Sequence, residues 1–379
     1  DCLNTGCVPS KALIRSARFV ADARRAGELG IDSAQVKFDF GEIMERVQRI
    51  VARIEPHDSV ARYTALGVEC IHGSAKIVSP WAVEIDANGE RRTLSTRNIV
   101  IAAGARPFVP PIPGLADIKP LTSDTVWSLR TLPRRLVVLG GGPIGCELAQ
   151  CFVRFGSAVT QVEMLPRLLS REDEDVSALM EQRLRADGVN VLTAHRALRV
   201  VVENGEKMLI ADHGGSEIRV PFDEILCALG RVANTTGYGL ETLGVPTTAR
   251  RTVEINEYLE TSFPNIFAAG DVAGFVDELR SAGHDVVEED LCRVVVHHRR
   301  DRLDGEAGEI AHVEDEDRQP LGLLLQLVVG SGAGEQDHQV GVERARGPDL
   351  LAVDAPALGD PVGAGADAGG LRPEIGRAH

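Results

Sequence analysis

The stretch Arg135-Leu-Val-Val-Leu-Gly140-Gly-Gly142-Pro-Ile-Gly145-Cys-Glu147 decides the fold. Four apolar residues run into Gly-x-Gly-x-x-Gly, a helix-forming run follows to Phe155, and a second apolar run spans Ser157 to Glu163. Strand, glycine loop, helix and strand in that order make one βαβ unit of a dinucleotide-binding fold. The glycines permit a tight turn, close approach of a pyrophosphate and helix-to-strand packing, while the helix N-terminus attracts phosphate. Gly140, Gly142 and Gly145 are the predicted phosphate contacts. Glu163 closes the second strand, where a carboxylate accepts from both ribose hydroxyls and repels a 2′-phosphate, so NAD is favoured over NADP. Arg167 could meet a 2′-phosphate, but after Pro166 it reads as an exposed charge.

Outward from this unit the chain keeps an α/β pattern. Leu94 to Ala103 is an apolar strand ending on Gly104, and Thr261 to Asp271 is a short apolar strand delivering Gly-Asp. Arg106 to Pro113 is proline-rich and predicts an extended connection. Val51 to Val68 is polar and helical in period. Thr131 to Arg134 reads as a linker, so a second domain is expected to start near Arg134. From Phe275 the composition shifts: no Tyr, Trp or Lys follows, and sustained amphipathic periodicity is lost. His312 and Glu316 fall in an acidic run that reads as solvated charge.

The 379 residues exceed what one core usually holds and predict two or three domains. A formal charge of −15 and the lack of a basic stripe exclude a nucleic-acid partner. No apolar stretch reaches the roughly 18 residues of a membrane span. Seven irregularly spaced cysteines and no signal peptide point to a reducing, cytoplasmic protein.

The chain begins Asp1-Cys-Leu-Asn-Thr-Gly-Cys7-Val-Pro-Ser-Lys11, a CxxxxC leading into a helix expected from about Pro9 to Ala23. In a regular helix, residues five apart have Cα atoms about 8.6 Å apart, beyond the ~7 Å limit of a disulfide, so a bridge needs a distorted turn. Gly6 permits one, and Cys7 at a helix start would have its thiolate favoured. The spacing alone leaves two readings open, a redox pair or two structural thiols. A zinc half-site fails for lack of a second ligand pair.

These segments, in order, resemble the class I pyridine nucleotide-disulfide oxidoreductase family. Cys2 to Leu13 resembles the redox segment of its dihydrolipoamide dehydrogenases and mercuric reductases. The likeness continues through Ile101-Ala-Ala-Gly-Ala-Arg-Pro107, the glycine loop, Ala228-Leu-Gly-Arg231 and Phe263 to Val272. The resemblance implies two Rossmann-like domains: an FAD domain (1–130, returning at 230–274) interrupted by an NAD(P) domain (131–229), with an atypical tail over 275–379.

It further implies that Cys2 exchanges with substrate, Cys7 faces the flavin, and Lys11 lies near flavin N5, paired with Glu147. Asp271 would bind the ribityl chain, Gly104 and Ala105 would lie beside the flavin with Ala75 as a further contact, and Gly230 would meet the nicotinamide. The implied cofactors are FAD and NAD, and the implied substrate is a dithiol or disulfide. Mercuric ion reduction with NADPH is the alternative, and an inactive dinucleotide-binding fragment a third reading. The family's first glycine motif and its dimer-forming domain are not recognisable, so the flavin site is expected to be incomplete.

Overall fold

The computed structural model describes residues 2–87 and 89–274 in full, and the backbone of 324–331 and 338–345. The 275–379 tail otherwise lies outside the described residues, His312 and Glu316 included.

Two five-stranded sheets carry the fold, which is mixed α/β. One is parallel throughout, in the order Asn190–Leu192, Ala158–Val162, Arg135–Leu139, Glu224–Cys227, Leu121–Thr122. Its central strand is buried over Leu136 to Leu139, as a strand covered on both faces must be. Asp223 secures the strand's start: its carboxylate accepts from the Arg135 backbone at 2.9 Å and from the guanidinium at 2.7 Å. These bonds hold Asp223 below the usual carboxylate range.

The chain leaves Leu139 through the glycine loop into the helix Pro143–Phe155 and returns on one side at Ala158. It later returns on the other side at Glu224. The carboxyl end of Arg135–Leu139 is therefore a topological switch point, where open α/β sheets bind ligands.

The other sheet runs Val68–His72, His338–Ala345, Leu324–Ser331, Asn98–Ala102, Ile266–Ala268. Asn98–Ala102 is parallel to both neighbours, and the two tail strands form an antiparallel hairpin whose outer strand pairs with Val68–His72. Two three-stranded antiparallel sheets (Ser74–Ser95 and Arg196–Phe222) and a small pairing of Ala105–Pro107 with Arg231–Ala233 complete the architecture.

The first helix is Cys7–Arg24, starting two residues earlier than expected. It buries Ala12, Leu13, Ala17, Val20 and Ala21, one face at helical spacing. The helix Phe40–Ile54 is capped by Asp39, whose Oδ1 accepts from Glu42 N at 3.1 Å, and it buries Phe40, Met44 and Val47. Both helices share one core with Leu148 and Phe152 of the glycine-loop helix. Each such fully buried side chain contributes about 1.5–3 kcal/mol.

The helical reading of Val51 to Val68 holds as far as Ala65 but in separate pieces rather than one helix. The helix ends at Ile54 because Pro56 cannot continue it; Ser59 then caps a new turn, Val60–Ala65, and Val68 begins a strand. Leu94 to Ala103 likewise divides into two strands at Thr96, whose hydroxyl donates to the Asn98 carbonyl at 2.7 Å. Among the described residues no helix is long and apolar enough to cross a membrane.

Candidate active site

Cys2 and Cys7 are joined as a disulfide, with Cα atoms 4.7 Å apart rather than at helical separation. The compression lies at Gly6, whose φ of −115° and ψ of −115° fall outside the regular wells. Cys7 is the first helical residue, and the turn is fastened by Val8 N donating to Cys2 O at 3.0 Å. Both half-cystines are exposed.

One helical turn beyond Cys7, Lys11 Nζ lies 2.6 Å from Glu147 Oε1. Glu147 belongs to the first turns of the helix that opens on the glycine loop, so the pair connects the disulfide segment to the nucleotide segment. The two helices pack directly against each other, which brings together residues 136 positions apart.

The glycine loop is built as its spacing requires. Gly140 has φ of +112°, and a Cβ there would sit 2.3 Å from the Ala228 carbonyl oxygen. A Cβ on Gly145 would sit 2.3 Å from the Gly140 carbonyl oxygen, so helix and strand meet at backbone contact. Gly142 differs, because a Cβ there meets nothing within 4 Å. Open space at a helix N-terminus fits a dinucleotide phosphate.

Glu163 is folded under the loop: Oε2 accepts from Gly141 N at 2.5 Å and Oε1 from Leu165 N at 2.7 Å. A carboxylate offers about four acceptor positions, so ribose hydroxyls can still be accommodated. Arg167 is turned inward onto its own loop, donating to the carbonyls of Glu172 and Ser170 and to Ser177 Oγ.

Gly104 and Asp271 stand beyond the carboxyl ends of two adjacent parallel strands, Asn98–Ala102 and Ile266–Ala268. The Asp271 carboxylate is 46% exposed, and Arg231 Nε donates to it at 3.2 Å. An exposed carboxylate and a glycine at such a crevice fit a hydroxylated ligand such as a flavin's ribityl chain. Ala105 pairs with Ala233, and Gly230 O accepts from Phe108 N at 2.9 Å. Ala75 stands apart: its methyl is buried against Ile77 and Ile85 in the core, leaving only its backbone for any ligand.

Three residues escaped sequence reasoning. Arg231 joins Asp271 to the Ala105 carbonyl at 2.5 Å and to Asp124 at 4.0 Å, and adjacency to Gly230 was the available clue. Gln161 is fully buried beneath the loop and donates to Gly140 O at 2.9 Å, while its Oε1 has no partner among the described residues. A polar residue in an apolar strand was its signal. Trp127 is one of two tryptophans in a chain poor in aromatics, and its indole N–H donates to Thr5 O at 3.1 Å inside the disulfide loop.

A parallel sheet ends on a phosphate-type glycine loop, and an ion pair links the helix of that loop to a surface disulfide, an arrangement suited to a nucleotide site beside a thiol–disulfide pair. Residues 1–289 match the pyridine nucleotide-disulphide oxidoreductase family, and the chain belongs to it. It is 37% identical over 274 residues to a mercuric reductase from Streptomyces lividans, covering 72% of this chain and 57% of that enzyme. It is 34% identical over 279 residues to a dihydrolipoyl dehydrogenase from Acholeplasma laidlawii, covering 72% and 79%. The fold is similar to that of the HOCl-induced flavoprotein disulfide reductase RclA from Escherichia coli, with a TM-score of 0.66 and 25% identity over 85% of this chain and 66% of that one. The chain spans about half of several mercuric reductases that it matches.

Proposed function

We propose that this chain carries the electron-relay half of an FAD-dependent disulfide oxidoreductase. It would pass two electrons between a nicotinamide, a flavin, the Cys2–Cys7 pair and a small dithiol or disulfide of the dihydrolipoamide kind. The observation that carries the reading is the Lys11–Glu147 pair, which fastens the disulfide helix to the helix of the glycine loop. In this reading 1–130 and 230–274 form the flavin part and 131–229 the nicotinamide part.

When bound, a flavin would supply hydride acceptance from a nicotinamide and electron exchange with a thiol. Gly140, Gly142 and Gly145 hold the pyrophosphate, and Glu163 selects NAD. Gly104, Ala105, Gly230 and Asp271 would line a flavin crevice, and Lys11, held by Glu147, would supply positive charge that favours flavin reduction. In the reduced pair the Cys2 thiolate attacks a substrate disulfide and expels one substrate thiolate. Cys7 then attacks Cys2 Sγ, re-forms the disulfide and releases the second substrate thiol; dihydrolipoamide oxidation runs the same exchanges backwards.

Mercuric ion reduction is the second reading, favoured by the 37% identity to the Streptomyces enzyme. Purified protein with NAD plus dihydrolipoamide, and separately NADPH plus mercuric ion, tests both. The relay predicts yellow protein that gains a long-wavelength thiolate-to-flavin band on partial reduction, abolished by Cys7→Ser. Colourless protein that binds NADH without turnover would favour a nucleotide-binding fragment and sink the relay for this chain.

A further inference from the structure

We propose that Trp127 is a positioning residue for the Cys2–Cys7 loop, tuning how readily that disulfide is reduced. This rests on the redox reading of the pair given above. Trp127 lies in the turn Val126–Ser128 and is 5% exposed, with its ring in the core that contains Ala12 and Leu13 of the disulfide helix. Its indole N–H is shared between two carbonyls, Ser123 O at 2.6 Å in its own turn and Thr5 O at 3.1 Å across the chain. Thr5 lies between Cys2 and Cys7, so its carbonyl is carried by the closed ring. The turn itself is anchored to the helix Phe40–Ile54, since Arg130 Nη1 donates to Trp127 O at 3.1 Å and its Nε to Glu45 Oε1 at 2.6 Å. Just before it, Leu121–Thr122 pairs with Leu226–Cys227 at the edge of the parallel sheet.

The energetics follow from which partner can move. While the disulfide is closed, Thr5 O is held in place and the bond to Trp127 costs little ordering. When a dithiol reductant gives up two electrons and two protons, it closes its own disulfide and leaves Cys2 and Cys7 as separate thiols. The loop then gains freedom, and keeping Thr5 O on the indole costs conformational entropy. The donor is not orphaned by that release, because Ser123 O still accepts from it. The shared geometry therefore makes a graded bias towards the disulfide rather than a lock. A hydrogen bond nets about 0.5–1.5 kcal/mol, and one lost only in the dithiol state changes the exchange constant roughly three- to tenfold.

The test is equilibrium exchange of the purified chain against dithiothreitol of known poise, with free Cys2 and Cys7 counted by alkylation and mass spectrometry. Trp127→Phe keeps the ring and removes the donor. Its pair is expected to be three- to tenfold more easily reduced, about 15–30 mV at ~30 mV per decade for two electrons. A change below twofold, or towards harder reduction, overturns the proposal, and so does a loss of thermal stability without any change in exchange. Should Trp127→Phe not fold, the unsubstituted chain decides. Labelled with ¹⁵N-tryptophan, it gives two indole resonances, and that of Trp127 is expected to shift on reduction while that of Trp81 (57% exposed) stays. An unmoved Trp127 resonance overturns the proposal. Neither measurement needs NADH or turnover, so each can fail while the relay stands, and the relay can fail while they succeed.

Discussion

Lys11 Nζ and Glu147 Oε1 meet at 2.6 Å across two helices that belong to different chemical segments, one opening on a disulfide and the other on a glycine loop. Both side chains remain reachable by solvent, at 61% and 38% exposure, so the pair adds under about 1 kcal/mol to stability. Lys11→Met is expected to leave the melting temperature nearly unchanged but, if the proposed relay operates, to slow flavin reduction by NADH on the order of 100-fold by removing positive charge beside the reduced flavin. Stopped-flow absorbance and thermal melts, read side by side, check both halves. Equal rates in the two proteins would remove Lys11 from the chemistry.

Gly142 and Gly145 should respond to alanine in opposite ways. Gly145→Ala drives a methyl against the Gly140 carbonyl and is expected to cost roughly 1–3 kcal/mol, seen as a lower urea midpoint. Gly142→Ala points its methyl into open space, so stability should hold while NADH affinity, followed by fluorescence titration, falls.

Glu163→Gln removes the negative charge at the proposed ribose position and weakens the grip on Gly141 N and Leu165 N. The NADPH-to-NADH ratio of kcat/KM should rise at least about tenfold, since one like-charge contact costs more than 1.4 kcal/mol. An unchanged ratio would mean that Glu163 serves the loop and not cofactor choice.

Three thiols are raised by burial: Cys146 and Cys227 to about 11 and Cys151 to about 12. At pH 8, alkylation after reduction should label Cys2 and Cys7 and spare these three until the protein is unfolded. The folded chain keeps protons that the unfolded chain releases near 9.0, so the stabilisation is complete below pH 9 and is lost as pH rises towards 11. Urea midpoints at pH 8 and pH 10.5 should fall in that order.

What the sequence made legible was local. The glycine loop declares itself because Gly140 and Gly145 each answer a steric demand a few residues away. At Cys2 and Cys7 the spacing showed that a bridge would need a distorted turn, while the choice between a bridge and two separate thiols stayed open. Less legible was whatever depends on a distant partner. Leu121–Thr122 joins the parallel sheet through residues a hundred positions later, and Leu324–Ser331 pairs with Asn98–Ala102. A continuous apolar run carries no period to say so. Trp127 and Arg231 act through side-chain bonds to carbonyls, Thr5 O and Ala105 O, that leave no mark in spacing. The break at Pro56 was readable and was missed, because the polar period on either side resembled a single helix.

The shared core of the disulfide helix, the helix Phe40–Ile54 and the glycine-loop helix has a mechanical consequence. Leu13, Met44 and Phe152 act as a common keel, so the thiol end and the nucleotide end cannot swing apart without exposing it to water. Partial melting should therefore abolish both sites in one cooperative step, and the distance between them is set by packing rather than by a hinge.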